Sequence, residues 1–496
     1  MKLTGFKRLA GLALAAAVIG GPLAGSAVAQ PAAAPTATAP AATAAAPAPA
    51  AAAAPAPAAA PDASAAAPAA AAAPATPAPA AAAPAAPKID TGDTAWMLTS
   101  SVLVLMMTIP GLALFYAGMV RKKNILATLA QSFAATALIT VLWMVIGYSI
   151  AFTDGGSKNA LIGGVKYLLL GPMGLNATSA LAPTIPESVY MFFQMTFAII
   201  TPALIAGALA DRMKFSAFLA FMGAWLLLVY CPIAHWVWGG GWLGKAGALD
   251  FAGGTVVHLN AGTAGLVTAL MLGKRKGLGV ENMAPHNLAY SVIGASLLWV
   301  GWFGFNAGSA VTSNVQAGMA AVATQIATAG AALAWMTAEW LISKKPSVLG
   351  MVSGAVAGLV AITPASGFVN PTDALIIGLA AGVVCYISAV HVKKMIGYDD
   401  ALDAWGVHGV GGALGALLTG VFASNAINSA SKGWLHDHNF AQMTLQLEDI
   451  GATFVYCGVV TFVILLAIKY TIGLRVSEEV EVEGLDINLH GEIVHG

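Results

Sequence analysis

The chain has 496 residues, of which 58% are hydrophobic and only 9% carry a charged side chain. Soluble domains contain roughly 25% charged residues, so this composition excludes an ordinary soluble protein and indicates an all-α polytopic membrane protein. The formal net charge is zero, which gives no electrostatic basis for binding nucleic acid.

Residues 1–29 have the pattern of a secretory signal peptide. Three basic residues occur among the first eight, an apolar run follows at 9–19, and "AVAQ" at 27–30 supplies an A-x-A cleavage signal. An uncleaved signal anchor is the alternative. In both cases the chain that follows begins outside the cytoplasm.

Residues 30–90 are predicted to form a disordered arm on the periplasmic side. They are almost entirely Ala and Pro up to residue 87. Repeated proline prevents a long helix, and alanine offers little from which to build a core.

Residues 91–472 are predicted to form a membrane domain of eleven transmembrane helices. Apolar runs of about 20 residues recur there, and each is long enough to cross about 30 Å of hydrocarbon. The predicted spans are 96–119, 125–152, 188–210, 215–236, 254–273, 287–308, 318–342, 347–365, 372–392, 405–424 and 448–471.

The basic residues orient these spans. Thirteen Lys and Arg residues follow odd-numbered spans, against five in the opposite-side segments from residue 88 onward. By the positive-inside rule the odd-numbered loops are cytoplasmic, which gives an N-out/C-in topology in the inner (plasma) membrane. The tail, 473–496, is then cytoplasmic, and the topology agrees with the signal peptide.

Two histidines open the same pattern, H-x3-G-x2-G, in spans 5 and 10. His258 precedes Gly262 and Gly265, and His408 precedes Gly412 and Gly415. Five is an odd number of spans, so the second set runs opposite to the first, as in an inverted repeat of spans 1–5 and 6–10. Chance similarity between Gly-rich helices is the alternative for the pattern alone.

The two histidines are predicted to meet near the bilayer midplane. His258 lies eight residues after Asp250, and His408 lies five residues after Asp403. At about 1.5 Å per residue, each is roughly 8–12 Å inside its own face of the membrane. An ionisable residue at this depth usually has a partner and faces a pathway, so we expect two rings that share a hydrogen bond in a narrow pore. A metal centre is the competing interpretation, but it needs three or four ligands, so we expect no metal and no cofactor.

Longer motifs resemble one known family from about residue 93 to 493. They are "TIPGLALFYAGMVRKKN", "IAHWVWGGGWLGKAGALDFAGGTVVHLNAG", "GKRKG", "PHNL", "GWFGFNAGSA", "DDALDAWGVHGVGG" and "GLRVSEEVEVEGLDINLHGE". In this order they resemble the Amt/MEP/Rh ammonium transporters, specifically the bacterial Amt branch.

The resemblance implies roles for aromatic residues at the outer end of the pore. The family's ammonium-recruitment site matches Trp238 and Ser309, with an aromatic wall from Phe197. Its stacked phenylalanine gate matches Phe197 and Phe305. The family commonly has Gly where this chain has Met195, so packing beside the gate is expected to differ.

The resemblance also implies roles deeper in the pore. The family's twin pore histidines match His258 and His408, and Trp302 matches a pore-lining aromatic residue. Its essential acidic residue matches Asp250. From the residues alone, Asp250 is favoured as the N-cap of span 5, with direct aid to ammonium binding as the alternative.

The expected function is import of ammonium. Ammonium has nearly the size and charge of potassium, so selection must use what potassium cannot do: donate hydrogen bonds and lose a proton. We expect recruitment at a cation–π site, deprotonation near the gate, passage of ammonia and proton relay along the histidines. Whether the proton crosses with each ammonia is left open.

The family further implies a homotrimer and a cytoplasmic PII-type signal protein as a partner of the acidic tail. The alternative functions are a sensor, a membrane enzyme and an Rh-type gas channel. The short tail disfavours a sensor domain, the absence of a nucleophile or cofactor motif disfavours an enzyme, and the Trp238–Ser309 site disfavours a gas channel.

Overall fold

Helices make up nearly all regular structure in residues 88–494, which are the residues described by the computed structural model. No β-strand forms within this range, where two isolated bridges join Ser179 to Ala182 and Met213 to Arg475. The all-α prediction is therefore confirmed for this part of the chain. The predicted signal peptide and the arm up to residue 87 lie outside the described residues.

Ten helices in the described part are long and apolar enough to cross a membrane, and a shorter apolar helix lies between the seventh and the next of them. With the shorter helix counted as α8, the helices in chain order are α1 (Thr91–Met119), α2 (Lys122–Phe152), α3 (Glu187–Leu209), α4 (Phe215–Ala246), α5 (Gly254–Leu272), α6 (Leu288–Ala310), α7 (Val315–Ser343), α8 (Val348–Ile362), α9 (Pro371–Ile396), α10 (Ala404–Phe422) and α11 (Ala441–Thr471). Each overlaps one of the eleven predicted spans. Helix α8 is shorter than its predicted span. It has 15 residues and covers about 22 Å at 1.5 Å per residue, which is less than a full bilayer core.

Side-chain caps explain where several of these helices begin. The first N–H groups of a helix have no partner within it, and Asn or Ser side chains accept hydrogen bonds from them. Asn287 caps α6, Asn314 caps α7 and Ser347 caps α8 in this way. Asn370 caps α9, and the next residue is a proline at the first helical position, where its missing N–H costs nothing.

Helices α5 and α10 cross in the centre of the molecule. An added Cβ at Gly262 would lie 2.2 Å from the backbone nitrogen of Gly409. An added Cβ at Gly412 would lie 2.5 Å from the carbonyl oxygen of Gly254. The two contacts are reciprocal, because each glycine lies four residues after a histidine and packs against the first turns of the other helix. Glycine therefore allows the two backbones to approach closely.

The acidic tail packs against the ends of α2 and α5. The carboxylate of Asp486 accepts hydrogen bonds from the backbone N–H groups of Leu126 and Ala127, at 3.0 and 2.8 Å. The guanidinium of Arg475 donates to the carbonyl of Leu272 at 2.9 Å and to the carboxylate of Glu481 at 2.6 Å. The contacts of Asp486 fix the tail to the start of α2, and those of Arg475 fix it to the end of α5 that lies away from His258.

The helix crossing predicts different effects for two alanine substitutions. We expect Gly262→Ala to lower stability by about 1–3 kcal/mol, because its Cβ must displace backbone atoms of α10. In α7, Gly318 has no heavy atom within 4 Å of an added Cβ. Gly318→Ala should therefore leave stability unchanged or raise it by up to about 1 kcal/mol. Thermal unfolding in detergent compares the two, and equal melting temperatures would contradict the close crossing.

Candidate functional site

The outer end of the site contains two partly buried side chains. Trp238 lies in the turn at 238–241 within α4, and its indole Nε1–H donates to the backbone carbonyl of Asp250 at 2.8 Å. Ser309 lies in the last turn of α6 and donates its hydroxyl hydrogen to the carbonyl of Phe305 at 2.8 Å. The polar N–H of the indole is occupied, so its ring face is left for other contacts, and the serine oxygen keeps its lone pairs as acceptors.

Two stacked phenylalanines lie next to these residues. The ring of Phe197 is 5.9 Å from that of Trp238 and nearly perpendicular to it. It also lies 4.2 Å from the ring of Phe305, at an interplanar angle of 33°. Phe197 is 1% exposed and Phe305 is 0% exposed, so both rings are buried.

The two histidines meet directly behind the phenylalanines. Nδ1 of His258 lies 3.3 Å from Nδ1 of His408, and the ring centres are 5.3 Å apart. The His258 ring also stacks on Trp302 at 5.3 Å and on Phe305 at 5.9 Å. Within the described residues, Nε2 of His258 has no hydrogen-bond partner. It is therefore a free polar atom on a buried ring.

A narrow cavity surrounds this pair. Both imidazoles, Trp302 and Phe305 form part of its wall, and the other eight lining residues are Met, Leu, Phe, Ile and Val. Trp302 donates its indole N–H to the hydroxyl of Thr363 at 2.9 Å, so it offers an aromatic surface here. The imidazole nitrogens are thus the polar atoms offered to a guest. Among residues 88–494, no three His, Cys, Asp or Glu side chains come together as a metal site.

The carboxylate of Asp250 organises the start of α5. It accepts five hydrogen bonds of 2.6–3.1 Å, which come from the backbone N–H groups of Gly253, Gly254, Thr255 and Val256 and from the hydroxyl of Thr255. A carboxylate at this position satisfies donors that a helix start leaves unpaired and complements the helix dipole. Because Asp250 also holds Trp238 through its carbonyl, it links the outer end of the site to the helix that carries His258.

The start of α10 repeats the start of α5. Both begin with a turn of π-helix, 254–259 and 404–409, preceded by a residue with positive φ. That residue is Gly253 in one case, at φ 118°, and Asp403 in the other, at φ 60°. Each lies five residues before its histidine. The local backbone of the two histidine segments is therefore the same, although they enter from opposite ends.

Asp400 is a residue of this site that the sequence interpretation missed. It lies eight residues before His408, the spacing that separates Asp250 from His258, and its Oδ2 accepts the N–H of Trp405 at 2.7 Å. Burial, with a smaller contribution from the charge of Asp403, raises the pKa of Asp400 to about 6. Asp403, which the sequence interpretation used as the start of span 10, pairs instead with the ammonium group of Lys393. A search for the D-x7-H spacing would have found Asp400.

Comparisons with known proteins agree with this geometry. The Ammonium Transporter Family profile matches residues 95–495. An ammonium transporter of Bacillus subtilis is 50% identical over 401 residues, which cover 81% of this chain and 98% of that protein. An ammonium transporter of Aquifex aeolicus is 51% identical over 407 residues, which cover 82% of this chain and 93% of that protein. The crystal structure of Saccharomyces cerevisiae Mep2 matches with a TM-score of 0.74 at 36% identity, over 79% of this chain and 88% of that chain.

The fold and the matched length define a multi-pass membrane protein of a transporter class rather than an enzyme. The chain belongs to the ammonium transporter family.

The cap at Asp250 predicts a measurable loss of stability when it is removed. Asp250→Ala leaves four backbone N–H groups without their acceptor, and we expect a loss of about 2 kcal/mol or more. The control is Asp154→Ala, because Asp154 is an exposed loop residue that accepts one local hydrogen bond. Melting temperatures of the two variants in detergent should differ clearly. Equal values would mean that the carboxylate does not hold α5.

Proposed function

We propose that this protein imports ammonium across the inner membrane by binding NH4+ at an outer cation–π site, removing its proton and conducting NH3 past two hydrogen-bonded histidines. The observation that carries this proposal is the contact between His258 and His408 inside an apolar cavity. A continuous series of ring contacts leads to that pair from Trp238 through Phe197 and Phe305. The series runs from partly buried to fully buried residues, as expected of an entry path.

Recruitment uses the face of Trp238 and the hydroxyl of Ser309. A cation over an indole face gains about 0.5–2 kcal/mol, depending on how far it is desolvated. The serine oxygen can accept a hydrogen bond from ammonium, which potassium cannot donate. Together they favour ammonium at the outer end while it still keeps part of its water.

Deprotonation follows from the lining of the cavity. A charged ion that enters an apolar cavity loses its hydration without adequate replacement, and the cost far exceeds that of a small neutral molecule. Ammonia is neutral and can donate a hydrogen bond to an imidazole nitrogen. The stacked pair of Phe197 and Phe305 limits entry until the water shell is removed. Ammonium therefore gives up its proton just behind the gate to the free Nε2 of His258, which lies beside Phe305, and ammonia continues alone.

The histidine pair supplies the route for that proton. One neutral imidazole donates its Nδ1–H and the other accepts it at Nδ1. When this hydrogen moves from the first Nδ1 to the second, a proton passes from one ring to the other. The free Nε2 of His258 is available for a hydrogen bond with the guest. The proton then crosses with each ammonia, and import carries charge.

The proposed topology has eleven spans, N-out/C-in, with an inverted repeat of α1–α5 and α6–α10. Short α8 is counted as the eighth span together with the turn at 363–368 that follows it. The repeated starts of α5 and α10 and the reciprocal contacts of Gly262 and Gly412 support the repeat. In this orientation the loops that follow odd-numbered helices and the tail face the cytoplasm.

Regulation is proposed at the cytoplasmic face of a homotrimer. The tail lies against α2 and α5, and Glu481 accepts both the guanidinium of Arg475 and the backbone N–H of Lys276, at 2.6 and 2.7 Å. A tail attached to α5 is mechanically connected to the helix that carries His258. A PII-type protein that binds this face could thus obstruct the pore exits and act on the tail together.

The histidine pair predicts a loss of ammonium uptake in His258→Ala. We expect uptake to fall about tenfold or more, the effect of one lost interaction of about 1.4 kcal/mol on the rate-limiting step. The assay is the ammonium-driven current of protein in liposomes, with potassium as a selectivity control. His286→Ala, which changes an exposed loop histidine, should transport normally. Full current with full selectivity in His258→Ala would reject the relay.

The outer site predicts a weaker apparent affinity in Trp238→Leu. Leucine keeps apolar bulk but has no π face, so the ammonium concentration for half-maximal current should rise by about 2- to 30-fold, the equivalent of 0.5–2 kcal/mol. Trp434→Leu changes a half-exposed tryptophan in the loop before α11 and serves as the control. An unaltered concentration dependence in Trp238→Leu would show that this tryptophan is a structural anchor.

The docked tail predicts that deletion of residues 476–496 reduces transport and weakens PII binding. The deletion removes Glu481 and Asp486 from their partners, which are Lys276 in the loop after α5 and the first residues of α2. Uptake by the truncated protein and co-purification with the PII-type protein measure the two effects, and gel filtration checks that the membrane part still assembles. Normal uptake together with normal PII retention would overturn this mechanism.

A further inference from the structure

A second buried aspartate lies beside the start of α5. Asp449 belongs to α11, is 0% exposed, and its Oδ2 lies 2.8 Å from the hydroxyl oxygen of Thr255. The same hydroxyl oxygen lies 2.7 Å from Oδ2 of Asp250. One threonine hydroxyl therefore joins two carboxyl groups in the interior of the protein.

The single hydrogen of the Thr255 hydroxyl determines how the two carboxyl groups are protonated. The hydroxyl of Thr255 carries one hydrogen and can donate it to one carboxyl group at a time. If both carboxyl groups were ionised, the Thr255 hydroxyl could donate to only one of them. Its oxygen would then face the other buried carboxylate oxygen with no hydrogen between them, an arrangement that costs several kcal/mol. One of the two carboxyl groups must therefore carry a proton.

The surroundings decide which carboxyl group that is. Asp250 accepts four backbone N–H groups at the positive end of α5, and such donors stabilise an ionised carboxylate. Asp449 has one further donor among the described residues, the hydroxyl of Thr453 at 3.5 Å. The proton therefore belongs to Asp449, which donates to Thr255, which in turn donates to Asp250.

We propose that Asp449 is a positioning residue for the outer ammonium site and acts as a proton-carrying, neutral acid. Its proton commits the hydroxyl of Thr255 to Asp250, which keeps the Asp250 carboxylate ionised and fully bonded. That carboxylate fixes the backbone of Asp250, whose main-chain carbonyl accepts the indole N–H of Trp238 at 2.8 Å. The chain Asp449–Thr255–Asp250–Trp238 thus connects α11 to the ring face that recruits the cation, and this inference rests on the outer site proposed above.

A pair of substitutions tests the positioning role. Asp449→Asn keeps a donor, since its amide N–H can replace the acid proton, whereas Asp449→Leu leaves the buried hydroxyl oxygen of Thr255 without a donor and removes the link between Thr255 and α11. In liposome currents we expect the half-saturating ammonium concentration to stay within about twofold in Asp449→Asn and to rise about tenfold in Asp449→Leu, the equivalent of one lost buried hydrogen bond. An Asn variant as impaired as the Leu variant would overturn the proposal.

Infrared spectroscopy tests the proton itself. A protonated carboxyl group has a C=O stretching band separate from the bands of an ionised carboxylate. The difference spectrum between the unaltered protein and Asp449→Asn should contain that carboxylic-acid band, and Thr255→Val should shift it, because valine has no oxygen to accept the hydrogen. If the difference spectrum contains carboxylate bands and no carboxylic-acid band, Asp449 is ionised and the inference is rejected.

The two readouts separate this inference from the proposed function. An acid band at Asp449 together with an unchanged affinity in Trp238→Leu would reject the outer site, and the positioning role with it, while the proton assignment stands. A missing acid band together with a weakened Trp238→Leu would reject the role of Asp449 alone. If Asp449→Leu does not assemble, the Asn variant and the infrared spectra still decide.

Discussion

The close crossing of α5 and α10 is the contact on which the candidate pore depends. Two imidazoles approach to 3.3 Å because the helices that carry them have glycine at the crossing. With larger side chains at Gly262 and Gly412 the backbones would separate, and each ring would be a lone polar group in an apolar interior, where it costs free energy. Placed together, each ring provides the other with a hydrogen-bond partner, and the cavity beside them stays narrow.

Two aspartates fix the segments that present these rings. Asp250 and Asp400 each lie eight residues before a histidine and bind backbone N–H groups at the start of its helix. The two environments differ. Asp250 is tied through Thr255 to Asp449, whereas Asp400 lies beside Asp403 at the end near the tail, and its Oδ1 has no partner among the described side chains. The two histidine segments therefore begin in a similar backbone arrangement but differ in their electrostatic surroundings.

Much of this arrangement could be predicted from the sequence because it depends on short-range spacing. The H-x3-G-x2-G pattern and the odd separation of five spans predict that His258 and His408 face each other, and these rings are in contact. The helix starts follow from local capping residues. The shorter α8 was harder to foresee, because the predicted span 347–365 contains no charged residue, and the helix ends where Thr363 and Pro364 turn the chain.

The remaining features depend on contacts between distant parts of the chain. Asp449 meets Thr255 across 194 positions of sequence, and no periodicity in α11 marks this residue as the partner of α5. The contact of Trp302 with Thr363 likewise joins α6 to the end of α8. Such pairings become visible only when the helices are placed side by side, so a sequence alone indicates which residues are unusual but not which ones they touch.

Nitrogen-15 NMR of histidine-labelled protein in lipid bilayers measures the histidine pair most directly. The geometry predicts two neutral rings at neutral pH, with one protonated and one unprotonated Nδ1 that are coupled through a shared hydrogen bond. In His258→Ala the signal of His258 should disappear and that of His408 should shift. Two positively charged rings, or two Nδ1 atoms without coupling, would contradict a proton relay between His258 and His408.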